Sequence, residues 1–346
     1  MRRFDYSFLK NRIPGQIISI SNVISDLNAR ETLRRTQNPK VFDALRKRAM
    51  IESVKGSNAI EGIVTTDERI ENLVKGAAPV THDEKEIAGY KDALSLIHSN
   101  HKEMDFTEGF LLEMHRTVTG AVSADEAGRF KKNNNLILEY NPDGSRRVRF
   151  RPVDAVETSD AIEQLILAYM DARQDSDIPA ILMIPCVILD FLCIHPFTDG
   201  NGRVSRLLTI LLLYKHGYDI GRYISVEKQI NQYRDAYYEA LGNSSKGWHE
   251  NKNDYTPFMI NFMQILYRCY KDLDDRFIDG ALGKAKKSER VRAVVMNSLV
   301  PISKQEIAEK VPDISIKTVE LVLGQLQKKG EIRKIGTFRD ARYMRR

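Results

Sequence analysis

A chain of 346 residues is long enough for two or three domains and at least one substantial core, and 42% hydrophobic with 29% charged residues is the balance of a soluble globular protein. Cys186, Cys193 and Cys269 show no CxxC or Cys/His spacing, which argues against a disulfide scaffold or a cysteine metal site and for free thiols in a reducing compartment. The net charge of +6 is uneven: residues 281–346 hold sixteen Lys or Arg against seven Asp or Glu, so the basicity belongs to the C-terminal piece and the remainder is slightly acidic.

The opening Met1-Arg2-Arg3-Phe4-Asp5-Tyr6-Ser7 has neither the apolar stretch nor the small-residue cleavage site of a signal peptide, so the expectation is a cytoplasmic protein. Residues 1–95 read as helices. Val41, Leu45, Ala49 and Val54 mark one of them, and a second runs from Asp67 to Val74 with Asp67 as its N-cap. Residues 96–280 read as a mainly helical core with one interruption. There, Leu136 to Tyr140, the turn Asn141-Pro142-Asp143-Gly144, and Val148 to Pro152 describe a β-hairpin. Its second strand alternates Arg147, Arg149 and Arg151 with Val148 and Phe150, as a half-buried strand should.

Ile178 to Ile194 is almost wholly apolar and near the lower limit for a membrane span, yet it contains Pro185 and Asp190 and is followed by an equally apolar Leu207 to Tyr214. A buried helix pair is the expectation, with no membrane contact. Beyond a soft Gly280 to Gly283 stretch, residues 284–346 read as three helices. These are Arg290 to Val300, a short one opened by the Ser303/Glu306 capping box and ending at Lys310, and Ser315 to Lys329. Two strands follow, Glu331 to Ile335 and Arg342 to Met344, around Gly336. Three helices and a hairpin in a basic module describe a winged helix, whose third helix with Lys317 and Lys328 would face duplex DNA or, alternatively, a protein partner.

Most of the chemistry sits in His195-Pro196-Phe197-Thr198-Asp199-Gly200-Asn201-Gly202-Arg203-Val204-Ser205-Arg206. An imidazole titrates near neutral pH and suits a general base. Asp199 offers a hard carboxylate for a divalent cation beside phosphate oxygens. Gly200, Asn201 and Gly202 can present consecutive backbone N–H groups as an anion nest at the positive end of the following helix. Arg203 and Arg206, three apart, project from one face for bidentate phosphate contacts. A capped interhelical turn would use Asp-Gly-Asn-Gly in the same way; the arginine pair over the glycine nest favours phosphate.

This run resembles the HPFxDGNGRxxR motif of the Fic (Fido) family at every defined position. The resemblance implies a helical Fic core with a β-hairpin flap. The activity it implies is transfer of AMP from ATP to a Ser, Thr or Tyr hydroxyl of a target protein. His195 would take the hydroxyl proton, and Asp199 would hold Mg2+ on the α and β phosphates. Gly200, Asn201, Gly202 and Arg203 would cradle the triphosphate, and Arg206 would grip the γ-phosphate. Val148, Arg149, Phe150 and Arg151 would form the flap that docks the target, while Tyr233, Tyr237 and Tyr238 resemble the segment bordering the adenine.

Ser57-Asn58-Ala59-Ile60-Glu61-Gly62 resembles the family's inhibitory (S/T)xxxE(G/N) motif. It implies that Glu61 competes with the γ-phosphate for Arg206. Two other readings stay open: removal of AMP from a modified target by the same site, and a DNA-binding regulator whose Fic core senses nucleotide. A homo-oligomer is a further partner that the sequence leaves open.

Overall fold

The computed structural model describes residues 2–11, 13–140, 145–284, 287–296, 298, 301–311, 314–336 and 341–345. The expected turn at 141–144 and the expected helix end at Val300 lie outside them. The chain divides into two compact units, Met1–Leu273 and Asp274–Arg346.

In the first unit, α1 (Gly15–Gln37), α2 (Pro39–Ile60), α3 (Asp67–Val74), α4 (His82–Asn100) and α5 (Glu108–Thr119) precede the hairpin β1 (Ile137–Tyr140) and β2 (Arg146–Phe150). Then come α6 (Thr158–Gln174), α7 (Ala180–Ile194), α8 (Asn201–Lys215), α9 (Val226–Gln232), α10 (Arg234–Ser244) and α11 (Thr256–Lys284), whose residues from Asp274 onward fall in the second unit. The N-cap of α3 is Thr66, whose hydroxyl accepts from the Arg69 N–H, and not Asp67, which is the first helical residue. A β-branched hydroxyl just outside the helix reaches that N–H, and Asp67 sits favourably in the first turn. Gly280 to Gly283, expected as a soft link, continues α11 as helix.

The paired helices α7 and α8 form the centre of the unit. Every residue from Ile181 to Ile194 is buried, Pro185 included, and so is nearly all of α8. Among the described residues no helix is long and apolar enough to cross a membrane. Asp190 is fully buried within α7 and explains itself by its partners. It accepts from Tyr6 Oη at 2.8 Å, Trp248 Nε1 at 2.7 Å, Tyr255 Oη, and Arg2 Nη2 at 3.3 Å. A buried carboxylate is tolerated only when so satisfied, and the cluster pins the 2–8 segment to α7.

The hairpin pairs antiparallel, but its register slips between Ile137 and Leu138: Ile137 faces Phe150 while Leu138 faces Val148. Arg149 is therefore the extra residue of a bulge, which breaks the expected alternation. Val148 is 42% exposed rather than inward, and Arg149 turns toward α10.

The second unit holds α12 (Lys287–Met296), β3 (Ile302–Ser303), α13 (Lys304–Lys310), α14 (Ile316–Lys328), β4 (Ile332–Ile335) and β5 (Arg342–Arg345). The Ser303/Glu306 capping box forms as expected. The sheet has the order β3-β5-β4, all antiparallel, with β3 a strand too short to stand out in the sequence. Val291, Val295, Ile307, Val319, Leu323 and Ile332 are among the residues closing its core.

Candidate active site

The site grows out of the turn between α7 and α8. His195 ends α7 in the left-handed conformation, φ 51°, which costs a residue with a Cβ about 1 kcal/mol and persists only where neighbours fix it. Its Nδ1 lies 3.3 Å from the Leu192 carbonyl. A carbonyl can only accept, so Nδ1 carries the proton and Nε2 keeps the lone pair. Burial pushes the His195 pKa down to about 4, against the opposing pull of the Leu192 carbonyl, and the ring is neutral at pH 7.

Gly200, φ 77°, is the N-cap of α8, a conformation for which glycine pays no steric cost. The first backbone N–H groups of α8 have no intrahelical acceptor and sit at the positive end of its dipole. The Asn201 side chain is used by the loop itself: its Oδ1 accepts from the Phe197 N–H at 2.9 Å and its Nδ2 donates to the Phe197 carbonyl at 2.8 Å. What Asn201 offers an anion is its backbone.

His115 of α5, which the sequence did not single out, clamps this loop from behind. Its ring stacks on Phe197 at 3.9 Å and 2°, Nδ1 accepts from the Gly128 N–H at 2.9 Å, and Nε2 donates to the Asp199 carbonyl at 3.2 Å. In sequence it is one more residue on an amphipathic helix. Asp199 leaves its carboxylate largely in solvent, touched by Arg203 Nη2 at 3.0 Å.

The two motif arginines are claimed by different helices. Arg203 is 2% exposed and donates through Nη1 to Glu86 Oε2 of α4 at 2.5 Å. Arg206 is also buried, and α2 holds it. Its Nε donates to Ser57 Oγ at 2.8 Å, and Nη2 donates to the Ser57 carbonyl at 3.1 Å and to Glu61 Oε1 at 2.7 Å. Burial works against the Arg206 charge, but Glu61 and its neighbours outweigh it and raise the pKa above its usual value.

A cavity of about 200 Å³ is lined by His195, Gly202, Arg206 and Glu61 together with Arg149, Phe150, Tyr237 and Tyr238. Tyr233 is not among its walls; its hydroxyl accepts from Arg268 Nη1 at 2.9 Å, and that guanidinium lies 4.0 Å from the ring centre. On the hairpin, Arg149 Nη2 donates to the Tyr238 carbonyl at 2.9 Å, and His249 Nε2 bonds the Arg151 carbonyl at 2.7 Å. Val148, Arg149, Phe150 and Arg151 line a groove of about 950 Å³ between the hairpin, α10 and residues 245–250. One short turn thus carries a neutral imidazole and an uncapped helix N-terminus, with a carboxylate from a distant helix seated on Arg206.

A neutral histidine, a helix N-terminus and two buried arginines meet on one helical pair. Residues 105–213 match the Fic/DOC family, and the chain carries a Fic-family domain. It is 27% identical over 245 residues to protein adenylyltransferase Fic of Nematostella vectensis, covering 67% of this chain and 49% of that protein. With the protein of the same name from Drosophila melanogaster it shares 27% identity over 219 residues, 62% of this chain and 40% of that one. The chain therefore spans about half the length, or less, of these curated relatives. Among solved structures, a Fic family protein from Desulfovibrio desulfuricans G20 superposes with a TM-score of 0.63 at 20% identity, covering 97% of each chain. A Fic domain containing signaling protein from Bacteroides thetaiotaomicron gives 0.57 at 20% identity over 74% of this chain and 94% of that one. These two establish the fold.

Proposed function

We propose that this protein transfers AMP from ATP to a hydroxyl side chain of a target protein and that Glu61 restrains the reaction. The observation that carries the reading is the pairing of Arg206 with Ser57 and Glu61 in the same cavity as His195. His195 Nε2 takes the proton of the incoming hydroxyl, the oxygen attacks the α-phosphorus, and pyrophosphate leaves. The N–H groups of Gly200, Asn201 and Gly202, with Arg203, bind the phosphates and the charge that builds on them. Arg206 takes the γ-phosphate, which needs the guanidinium that Glu61 now holds. One charge-assisted pair is worth about 1.5–3 kcal/mol, roughly ten- to a hundredfold in productive binding.

The donor set fits a cation brought in with the nucleotide rather than a resident one. Asp199 is a single exposed carboxylate, and among the described residues no group of three or more His, Cys, Asp or Glu is arranged to hold a metal. Mg2+ is commonly held by one or two carboxylates plus substrate phosphates, so Asp199 would hold it there and the ion would neutralise phosphate charge. Tyr237 and Tyr238 flank the base, and the groove beside Arg149 and Arg151 takes the target. The free, buried cysteines support a reducing, cytoplasmic setting. The three helices and antiparallel sheet of the second unit support a winged helix, and its basic charge supports duplex DNA as a ligand, to be read as a salt-dependent mobility shift.

The test is labelling by α-labelled ATP and Mg2+ in three proteins. Glu61→Gly raises labelling above the parent chain and His195→Ala abolishes it; equal labelling in all three rejects the assignment. A second reading rests on Glu61 and His195 lining one cavity. There Glu61 would orient a water that removes AMP from a modified target, His195 returning the proton to the leaving hydroxyl. Release of free AMP from that target by the parent chain, lost in Glu61→Gly, identifies it.

A further inference from the structure

The carbonyl groups at the end of α7 lack intrahelical partners just where His195 must hold a left-handed backbone. Two side chains from the segment between α5 and β1 meet them. Lys131 Nζ, 4% exposed as a residue, donates to the Ile194 carbonyl at 3.2 Å and to Asn135 Oδ1 at 2.9 Å. Asn135 Nδ2 donates to the Phe197 carbonyl at 3.0 Å and reaches the His195 carbonyl at 3.5 Å. The Lys131 backbone N–H donates to the Pro196 carbonyl at 2.9 Å. Four consecutive carbonyls, 194 to 197, are thus held by one lysine and one asparagine.

Asparagine and backbone donors alone could satisfy a turn; a buried ammonium is an expensive way to do it. Both acceptors of Nζ are neutral groups. Burial pushes the Lys131 pKa down to about 8, with Asp154 pulling the other way, so the charge survives at pH 7. That charge lies one residue from the imidazole.

We propose that Lys131 is a positioning residue for His195: its ammonium holds the 194–197 turn and sets the charge that the imidazole feels. The inference rests on the reading of His195 as the proton acceptor. The groups facing His195 come from every side. Glu61 of α2 and Asp199 of the loop favour a protonated ring, as does the Leu192 carbonyl; Lys131 disfavours it. Arg206, Arg149, Tyr237 and Tyr238 line the same cavity. Burial does most to keep the ring neutral, and Lys131 is the cationic counterweight to the two carboxylates that oppose it. It also resists rotation of the turn, because Ile194 would lose its donor.

The test uses the full chain with ring-13C histidine and follows His195, assigned by its loss in His195→Ala, through a pH titration. Lys131→Gln keeps a donor without the charge, and Lys131→Arg keeps the charge. The midpoint rises by roughly one pH unit in Lys131→Gln and stays near the parent value in Lys131→Arg. In the Glu61→Gly background, Lys131→Gln lowers kcat for AMP transfer by about tenfold with KM for ATP little changed. An unmoved midpoint in Lys131→Gln overturns the inference. If Lys131→Gln does not fold, Lys131→Arg still decides: loss of transfer with its midpoint in place shows that charge near His195 is not what Lys131 supplies. A shifted midpoint with no transfer by Glu61→Gly leaves Lys131 intact and removes the transferase reading instead.

Discussion

A Cβ on Gly202 would overlap Oε1 of Glu61, so the first turn of α8 is bare where the carboxylate of α2 comes down on it. The same Cβ would lie 3.2 Å from Arg206 Nη1. Glycine at this position therefore serves two occupants: the phosphate that the helix end would bind, and the carboxylate now in its place.

Gly202→Ala follows directly. The obstructing atom is the end of a flexible side chain, so Glu61 moves aside and its pair with Arg206 loosens. In the Glu61→Gly background the added methyl meets only the end of the Arg206 side chain, 3.2 Å away, which is free to shift once Glu61 is gone. Urea unfolding of the two single variants and the double variant should give a coupling of about 1 kcal/mol, beyond the few tenths expected of independent sites. Additive values would mean that Glu61 does not occupy this position in solution.

Gly56 makes the opposite case. Its Cβ would sit 2.8 Å from Lys228 N and 2.9 Å from Glu227 C, backbone atoms of α9 that cannot swing away. Ser53 donates to Glu227 Oε2 at 2.7 Å and Lys228 to Glu52 at 2.9 Å across the same seam. Gly56→Ala should lift α2, and Ser57 and Glu61 with it, at a stability cost of about 1–3 kcal/mol. Labelling by ATP should rise above the parent, though less than in Glu61→Gly. A lower melting temperature with unchanged labelling would separate the docking of α2 from restraint of Arg206.

The 195–206 turn was legible because its residues are contiguous and their chemistry is local. Glu61 was legible only through resemblance, since an isolated Glu on a helix reads as a solvated residue. His115, Glu86, Lys131 and Asn135 were not legible: each lies on another segment, and only tertiary packing brings it against residues 194–203. Tyr233 lies outside the cavity that His195 and Glu61 line. It follows Asn231 with the right spacing, but Arg268 takes its hydroxyl and its ring face. On the hairpin, period-two alternation placed Arg149 in solvent, and a single bulge redirected it to Tyr238. Bulges and two-residue strands such as β3 leave almost no trace in a hydropathy pattern.

Arg203 yields a prediction about nucleotide affinity. Its guanidinium is 2% exposed, its Nε has no acceptor, and Glu86 is its one buried carboxylate partner among the described residues. Glu86→Ala would leave the charge paired only with exposed Asp199, a loss that costs about 3–5 kcal/mol for buried pairs. Glu86→Gln keeps an oxygen acceptor and should cost less. In the Glu61→Gly background, Glu86→Gln should raise KM for ATP more than it lowers kcat. An unchanged KM would count against a phosphate role for Arg203.

Glu31 of α1 gives the pH prediction. The carboxylate is 1% exposed, neither oxygen has a hydrogen-bond partner among the described residues, and Arg35 Nη1 is 3.5 Å away. Burial raises its pKa from 4.5 to about 7, against the pull of Arg35. The folded state thus holds this proton more tightly than the unfolded chain. Its contribution to stability is complete below pH 4.5, falls as pH rises, and is gone above about pH 7. The full swing is about 3 kcal/mol at most. Glu31→Gln, neutral at every pH, removes that slope, and the variant should gain on the parent between pH 5 and pH 8. Urea unfolding followed by the fluorescence of Trp248, the only tryptophan, reads the difference in the unit that contains both residues. Histidines that titrate over the same range are common to both proteins and cancel in the comparison. Parallel stability curves for parent and variant from pH 5 to pH 8 would show that Glu31 is already ionised in the folded protein.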